Sequence, residues 1–280
     1  MYEWTIEYNG NKLNLTGCEK KWQLISVKGI NPVAVDLNTS KRVGVPGVHK
    51  TGSQTPERVL TFMLRVNHPC ERNRQELLDY LVPNAEVKIT CRTPLKTVYT
   101  TGTISMNDYD TYTQSQIMQF EIVCEHPYFI ASETRKDVNL KSRGGFSFPL
   151  NVGINETYRF EEYYFTDKVV VYNYGQIATG VEIEIKCLDT LEKPTVYNVD
   201  NPSEYIELND TFLPGDIIKI NTNTPSKKIT LVRNGVETKI MRKLVFPVTW
   251  FTIYKVLVLA VNYADKMLLD VYTHDEVAGI

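Results

Sequence analysis

From Ser203 to Ile240 apolar and polar positions alternate, SEYIELNDTFLPGDIIKINTNTPSKKITLVRNGVETKI, with interruptions at Pro214-Gly215-Asp216, Pro225 and Asn234-Gly235. A period of two places successive side chains on opposite faces, so the segment predicts short strands joined by turns. Ile217, Ile218 and Ile220 fall in one strand and Ile229, Leu231 and Val232 in the next. Asn234-Gly235 supplies the two positive-φ residues of a type I′ hairpin. KVVVYNYG, GVEIEIKC, YIEL, ETKIMRKL, TWFTIY, VLVLAV and KMLLDVYT extend the pattern through the second half. About nine short strands at such regular spacing predict a sandwich or jelly roll.

The first half has the same period with one exception. YEWTIEY, WQLISVKGI, PVAVDL, ERVLTFMLRVN, EVKITCRT, TVYTTGTISMN and QSQIMQFEIVC read as strands. ERNRQELLDYLVP instead sets Leu77, Leu78, Leu81 and Val82 on one face and ends at Pro83, which predicts a helix. KRVGVPGVHKTGSQTP, from Lys41 to Pro56, carries three glycines and two prolines and predicts a long loop or a projecting hairpin. After EHPYF the chain turns polar, ASETRKDVNLKSRGGFSFPLN, and reads as a loop-rich connection. The expected division is 1–140, a β-sandwich with one flanking helix, and 141–280, a second β-sandwich or jelly roll. The fold class is all-β.

Composition agrees with strands and narrows the function. The 280 residues include 17 Tyr and 10 Phe, with 42% hydrophobic and 23% charged, and each half is long enough to hold its own core. A net charge of -2 provides no overall cationic field for gripping nucleic acid. Cys18, Cys70, Cys91, Cys124 and Cys187 are odd in number and never form C-x-x-C, which reads as reduced thiols made in a cytoplasm. The opening MYEWTIEYNGNKLN lacks the basic and apolar regions of a signal peptide. Leu244 to Val261 approaches the length of a membrane span, but Pro247, Lys255 and two threonines favour buried strands, so no membrane insertion is expected.

Candidate chemistry is sparse. Glu161 and Glu162 are adjacent, and on a strand they point to opposite faces, so they cannot flank one glycosidic bond. His49, His68, His126 and His274 show no metal-ligand spacing. Cys124 and His126 share a face without a third group to orient the base. Asp216 and Asp275-Glu276 read as turn residues rather than calcium ligands. No phosphate-binding loop accompanies Gly144-Gly145. The expectation is a protein that is not an enzyme and takes no metal or cofactor. The aromatic cluster Tyr158, Phe160, Tyr163, Tyr164 and Phe165 stands apart, and Tyr158, Tyr163 and Tyr164 are candidate contacts for a glycan or a partner.

The order of elements resembles that of the distal tail proteins of long-tailed bacteriophages and prophages. The match runs through VGVPGVHKTGS, the strand after Arg58, RNRQELLDYLVP and FEIVCEHPYF with Cys124 and Pro127. It continues through VEIEIKC, PTVYNVDNPSEYIELNDTFLPGDIIKINT, KKITLVRNGVE, TWFTIY and VYTHDEVAGI. One departure is the lack of a Gly in TWFTIYKVLVLAV. The resemblance implies a virion structural protein at the tail tip, a baseplate hub whose first domain closes a ring, usually a hexamer, and whose second domain is galectin-like. It further implies that the ring joins the tail tube protein to a tail-associated, fibre or receptor-binding protein, with a channel that passes DNA without specific binding. A ring needs two complementary faces on each copy, and strand pairing by a projecting hairpin provides one. Val43, Val45 and Val48 on the glycine-rich segment and Val98, Tyr99 and Ile104 on the Cys91–Asn107 hairpin are the expected interface residues. The alternative reading is a carbohydrate-binding adaptor that recognises the host surface through the second domain.

Overall fold

Leu60, Phe62, Leu64 and Val66 alternate along one strand and are all buried, and Phe62 sits at the centre of what they build. Its ring stacks on Phe120 at 5.0 Å and meets the edge of Trp4 at 5.3 Å. The computed structural model describes all residues except 1, 18, 19, 42, 45, 110–115, 145–160, 224–226 and 246–249. The chain forms two units, Met1–Glu133 with Glu276–Ile280, and Thr134–Asp275. The C-terminal residues of the predicted second domain thus return to the first unit.

The first unit contains β1 (Glu3–Tyr8), β2 (Asn11–Asn14), β3 (Trp22–Lys28), β4 (Asp36–Ser40), β5 (His49–Gln54), β6 (Arg58–Val66), helix α1 (Cys70–Leu78), β7 (Glu86–Arg92), β8 (Thr97–Tyr109), β9 (Gln116–Cys124) and the start of β10 (Phe129–Val138). β2, β1 and β7 lead to the first half of β8, whose residues 97–103 pair with β7. β3, β6 and β9 lead to its second half, where Thr103 pairs with Val123 and Tyr109 with Met118. One long strand therefore serves both layers, turning the corner at a bulge between Ile104 and Met106. Gly102 sits at that corner because a Cβ there would come within 2.7 Å of the Val123 carbonyl oxygen and 2.8 Å of Cys124 Sγ. The helix buries Leu77 but closes at Leu78, with the Tyr80 amide bonding back to the Leu77 carbonyl. Leu81 is buried beyond its end, while Val82 is exposed.

The second unit contains the rest of β10, β11 (Leu140–Gly144), β12 (Glu161–Phe165), β13 (Lys168–Tyr172), β14 (Glu182–Cys187), β15 (Leu191–Glu192), β16 (Thr195–Asn198), β17 (Tyr205–Glu207), β18 (Thr211–Phe212), β19 (Ile217–Asn221), β20 (Lys228–Arg233), β21 (Val236–Lys239), β22 (Val256–Val261) and most of β23 (Met267–Val277). One sheet is ordered β13-β22-β16-β17, and the other includes β23-β14-β19-β20-β21. Ile183, Ile185, Ile218, Ile220 and Ile229 from the second share a core with Val171, Leu257 and Leu259 from the first. Asn234 (φ 52°) and Gly235 (φ 76°) make the two-residue turn between β20 and β21, with Arg233 opposite Val236.

Several boundaries differ from the sequence reading. The polar stretch after Phe129 is not a loop as far as Gly144, where it forms β10 and β11; the rest of it, 145–151, lies outside the described residues. Its strand character comes from backbone pairing and from ion pairs, Arg135 with Asp275 and Lys136 with Asp270, instead of from alternating burial. TWFTIY contributes an isolated bridge between Ile253 and Thr179, not a strand. ETKIMRKL breaks after Lys239 into a short 3-10 turn, Met241–Lys243. The strand expected at Pro32 begins at Asp36.

Candidate interaction surfaces

β4 and β5 form a hairpin that pairs with no other strand among the described residues, and every residue in it is exposed except the half-buried Gly52. Its register, Asp36 opposite Gln54 through Ser40 opposite His49, shifts at Asn38/Thr39. Leu37 is 57% exposed, Val48 57%, and Val43, in the connection, is fully exposed. Such a ribbon on its own is marginally stable in water, and its apolar side chains gain burial only against another surface.

Val45 and Tyr158 lie outside the described residues. Val98 and Ile104 point into the core of the first unit. Tyr99 is half-buried, with the Lys88 ammonium 4.2 Å from its ring centre. The structure therefore brings Val43 and Val48 together on the hairpin and separates them from the other three. Tyr163 and Tyr164 are exposed on β12, which pairs only with β11: Ser142 lies opposite Tyr163 and Lys141 opposite Tyr164. β3 is an open edge of the first unit, pairing only with β6 among the described residues. Beside it runs a groove of about 390 Å³ lined by Tyr2, Trp4, Leu24, Ile25, Val27 and Ile30.

A residue the sequence did not single out ties together several loops of the first unit. Arg58 occupies the inward phase of β6, in line with Leu60 and Phe62, and is 1% exposed. Its Nε donates to the Pro127 carbonyl at 2.7 Å and one terminal nitrogen to the Asn31 carbonyl at 2.9 Å. The carbonyls of Gly29 and Ala278 accept from the same guanidinium, whose flat face lies 4.3 Å from the Phe129 ring centre. Burial pushes its pKa down, but an arginine still stays charged. The C-terminal residues complete this clamp: the Ile280 amide donates to the Ile30 carbonyl at 3.1 Å. Gly279 passes so close that a Cβ would sit 2.8 Å from Pro32 Cδ. The signal in the sequence was an arginine on the core phase of an otherwise apolar strand.

Burial pushes the Cys91 and Cys187 thiols up to about 12, and raises that of Cys124 as well. Among the described residues no three His, Cys, Asp or Glu side chains are grouped to hold a metal ion. No helix among them is long and apolar enough to cross a membrane.

No protein-family model matches the chain, and no curated protein matches it in sequence. Solved structures do match. One is the SPP1 Dit (gp 19.1) protein, described as a paradigm of hub adsorption apparatus in Gram-positive infecting phages, with a TM-score of 0.68 and 14% identity over 98% of each chain. Two others come from the phage P2 baseplate in its activated conformation. The form with Ca has a TM-score of 0.56 and 11% identity over 97% of this chain and 98% of that one. The form with Sr has a TM-score of 0.55 and 11% identity over 98% of both. At such identities the likeness is one of fold, and from end to end this chain has the all-β fold of the SPP1 Dit hub protein.

Proposed function

We propose that this chain is a structural component of a bacteriophage or prophage tail tip, a hub whose first unit closes a ring and leaves a channel for DNA. The observation that carries the reading is the match to the SPP1 Dit structure over 98% of both chains, because a likeness of that extent spans both units and not only one sandwich. The hub joins the tail tube above to a fibre or receptor-binding protein below, and the ring is a hexamer. Its first unit extends from Met1 to Glu133 and is completed by Glu276–Ile280, and the second unit is left to meet other tail proteins.

A closed ring requires one face of each copy to fit a different face of the next. The β4–β5 hairpin supplies the first face through Leu37, Val43 and Val48, and the apolar groove beside the open edge of β3 supplies the second. The net charge of -2 suits a channel that lets DNA pass, since a strongly cationic lining would hold it through counterion release.

Light scattering behind size exclusion, repeated across protein concentration, tests this. The full chain is expected at about six protomer masses, and the double variant Leu37→Ser, Val48→Ser at one, with unchanged thermal unfolding. A wild-type monomer at every concentration would overturn autonomous ring formation, and a variant that still forms the ring would remove the hairpin from the interface.

A further inference from the structure

Ile183, Ile185 and Cys187 fill the core of the second unit, so Glu182, Glu184 and Lys186 on β14 face outward. The strand register carries this outward face across its neighbours. One row reads Tyr272, Glu182, Asn221, Lys228; the next reads Asp270, Glu184, Lys219, Thr230, Lys239. At about 4.8 Å between strands, four of them span roughly 14 Å.

The two sides of this face differ. Toward β23 its charges satisfy one another: Lys186 Nζ lies 3.0 Å from Asp270 Oδ2 and 3.2 Å from Glu184 Oε1. Asn221 Nδ2 donates to Glu182 Oε1 at 2.9 Å. Toward β21, Lys219, Lys228 and Glu237 enter no ion pair among the described residues. These groups line a cavity of about 300 Å³ that also takes in Thr230 and the Tyr272 ring. Thr230, on the outward phase of β20 and among the residues lining this cavity, is 3% exposed, and its Oγ1 has no hydrogen-bond partner among the described residues. A buried hydroxyl left unpaired is costly, and a group entering from the cavity would satisfy it.

We propose that this groove binds an uncharged saccharide. Glu182, Glu184 and Glu237 disfavour an anion, and Lys219 and Lys228 disfavour a cation. A neutral polyol has no charge to desolvate, and each of its hydroxyls both donates and accepts. Its hydroxyls can donate hydrogen bonds to the carboxylates, accept them from the ammonium groups, and do either at Thr230. Tyr272 offers the apolar face that the C–H side of a sugar ring needs. The volume lies at the lower end for small-molecule sites. The groove is distinct from Tyr163 and Tyr164 on β12, and the inference does not depend on ring formation.

Calorimetric titration of the full chain with maltotriose, cellotriose and chitotriose tests it, with tri-galacturonate and trilysine as charged controls. At least one neutral trisaccharide is expected to bind. Thr230→Val, which keeps the shape and removes the hydroxyl, is expected to weaken it by about tenfold without lowering thermal stability, and the exposed variant Lys219→Met by several-fold. No binding of any neutral trisaccharide at millimolar concentration would overturn the proposal. So would tighter binding of either charged control, or affinity retained within about twofold in both variants.

Discussion

Replacing Arg58 by methionine keeps an unbranched stem in the core but strands four carbonyl oxygens, those of Gly29, Asn31, Pro127 and Ala278. A hydrogen bond from a charged donor contributes about 1.5–3 kcal/mol net, so four at the low end amount to about 6 kcal/mol. Relief from burying the guanidinium offsets several kcal/mol of that. The expected net loss is about 3 kcal/mol, comparable to the cost of breaking a buried ionic contact. With a urea m-value of about 2–3 kcal/mol/M, the unfolding midpoint of the first unit should fall by about 1–1.5 M. Hydrogen exchange provides the local check, because the Ile280 amide is protected only while it reaches the Ile30 carbonyl. Arg58→Lys retains the charge but not the fork, and should lose about half as much. A midpoint shift in Arg58→Met below about 0.3 M, with Ile280 protection intact, would refute the clamp.

Gly102→Ala should cost about 1–3 kcal/mol by overpacking the corner of β8 against Val123 and Cys124, measurable in the same urea titration. The Arg233 guanidinium, donating to Asp216 from Nε at 2.8 Å, holds that carboxyl below the usual carboxylate range. Since the folded value lies below the unfolded value of about 3.9, the pair's stabilisation is full above about pH 5 and is lost as pH falls through the folded value. The difference in melting temperature between wild type and Asp216→Asn should therefore narrow from pH 6 to pH 3, and a constant difference would contradict it. Arg135 depresses Asp275 in the same direction, so Asp275→Asn should behave alike. Cys91, Cys124 and Cys187 should stay silent to a disulfide reagent in the native protein and react once it is denatured.

The sequence revealed most where burial and alternation coincide. β6, β14, β19 and β20 each carry at least two isoleucine, leucine or phenylalanine residues at alternate, buried positions, and the Asn234-Gly235 turn fixes its own hairpin. β10 was missed because Arg135, Lys136 and Asp137 offer no apolar phase, and partners far along the chain, Asp270 and Asp275, make it a strand. TWFTIY misled in the opposite direction: Phe251 and Ile253 are buried, but their backbone makes only one bridge. The glycines and prolines of Lys41–Pro56 indicate a long loop or a projecting hairpin, and a hairpin is found, although its first strand, Asp36–Ser40, lies ahead of that segment. Which apolar residues stay outside was not legible, since Val43 and Val98 look alike until the register is known. Arg58 was visible only as a charge on a core phase, and its acceptors are carbonyls, which no sequence pattern encodes.

Because Glu276–Ile280 completes the first unit, that unit cannot finish folding as it leaves the ribosome. The usual order, with N-terminal domains folding first during synthesis, is broken here: β6 must wait for Ala278 before Arg58 has its last acceptor. At about 5–20 residues per second, translating the intervening second unit takes roughly 7–28 s. During that time the nascent first unit exposes an open clamp. A separately expressed first half would remain in that state indefinitely, so residues 1–133 alone should be prone to aggregate while the full chain stays in solution.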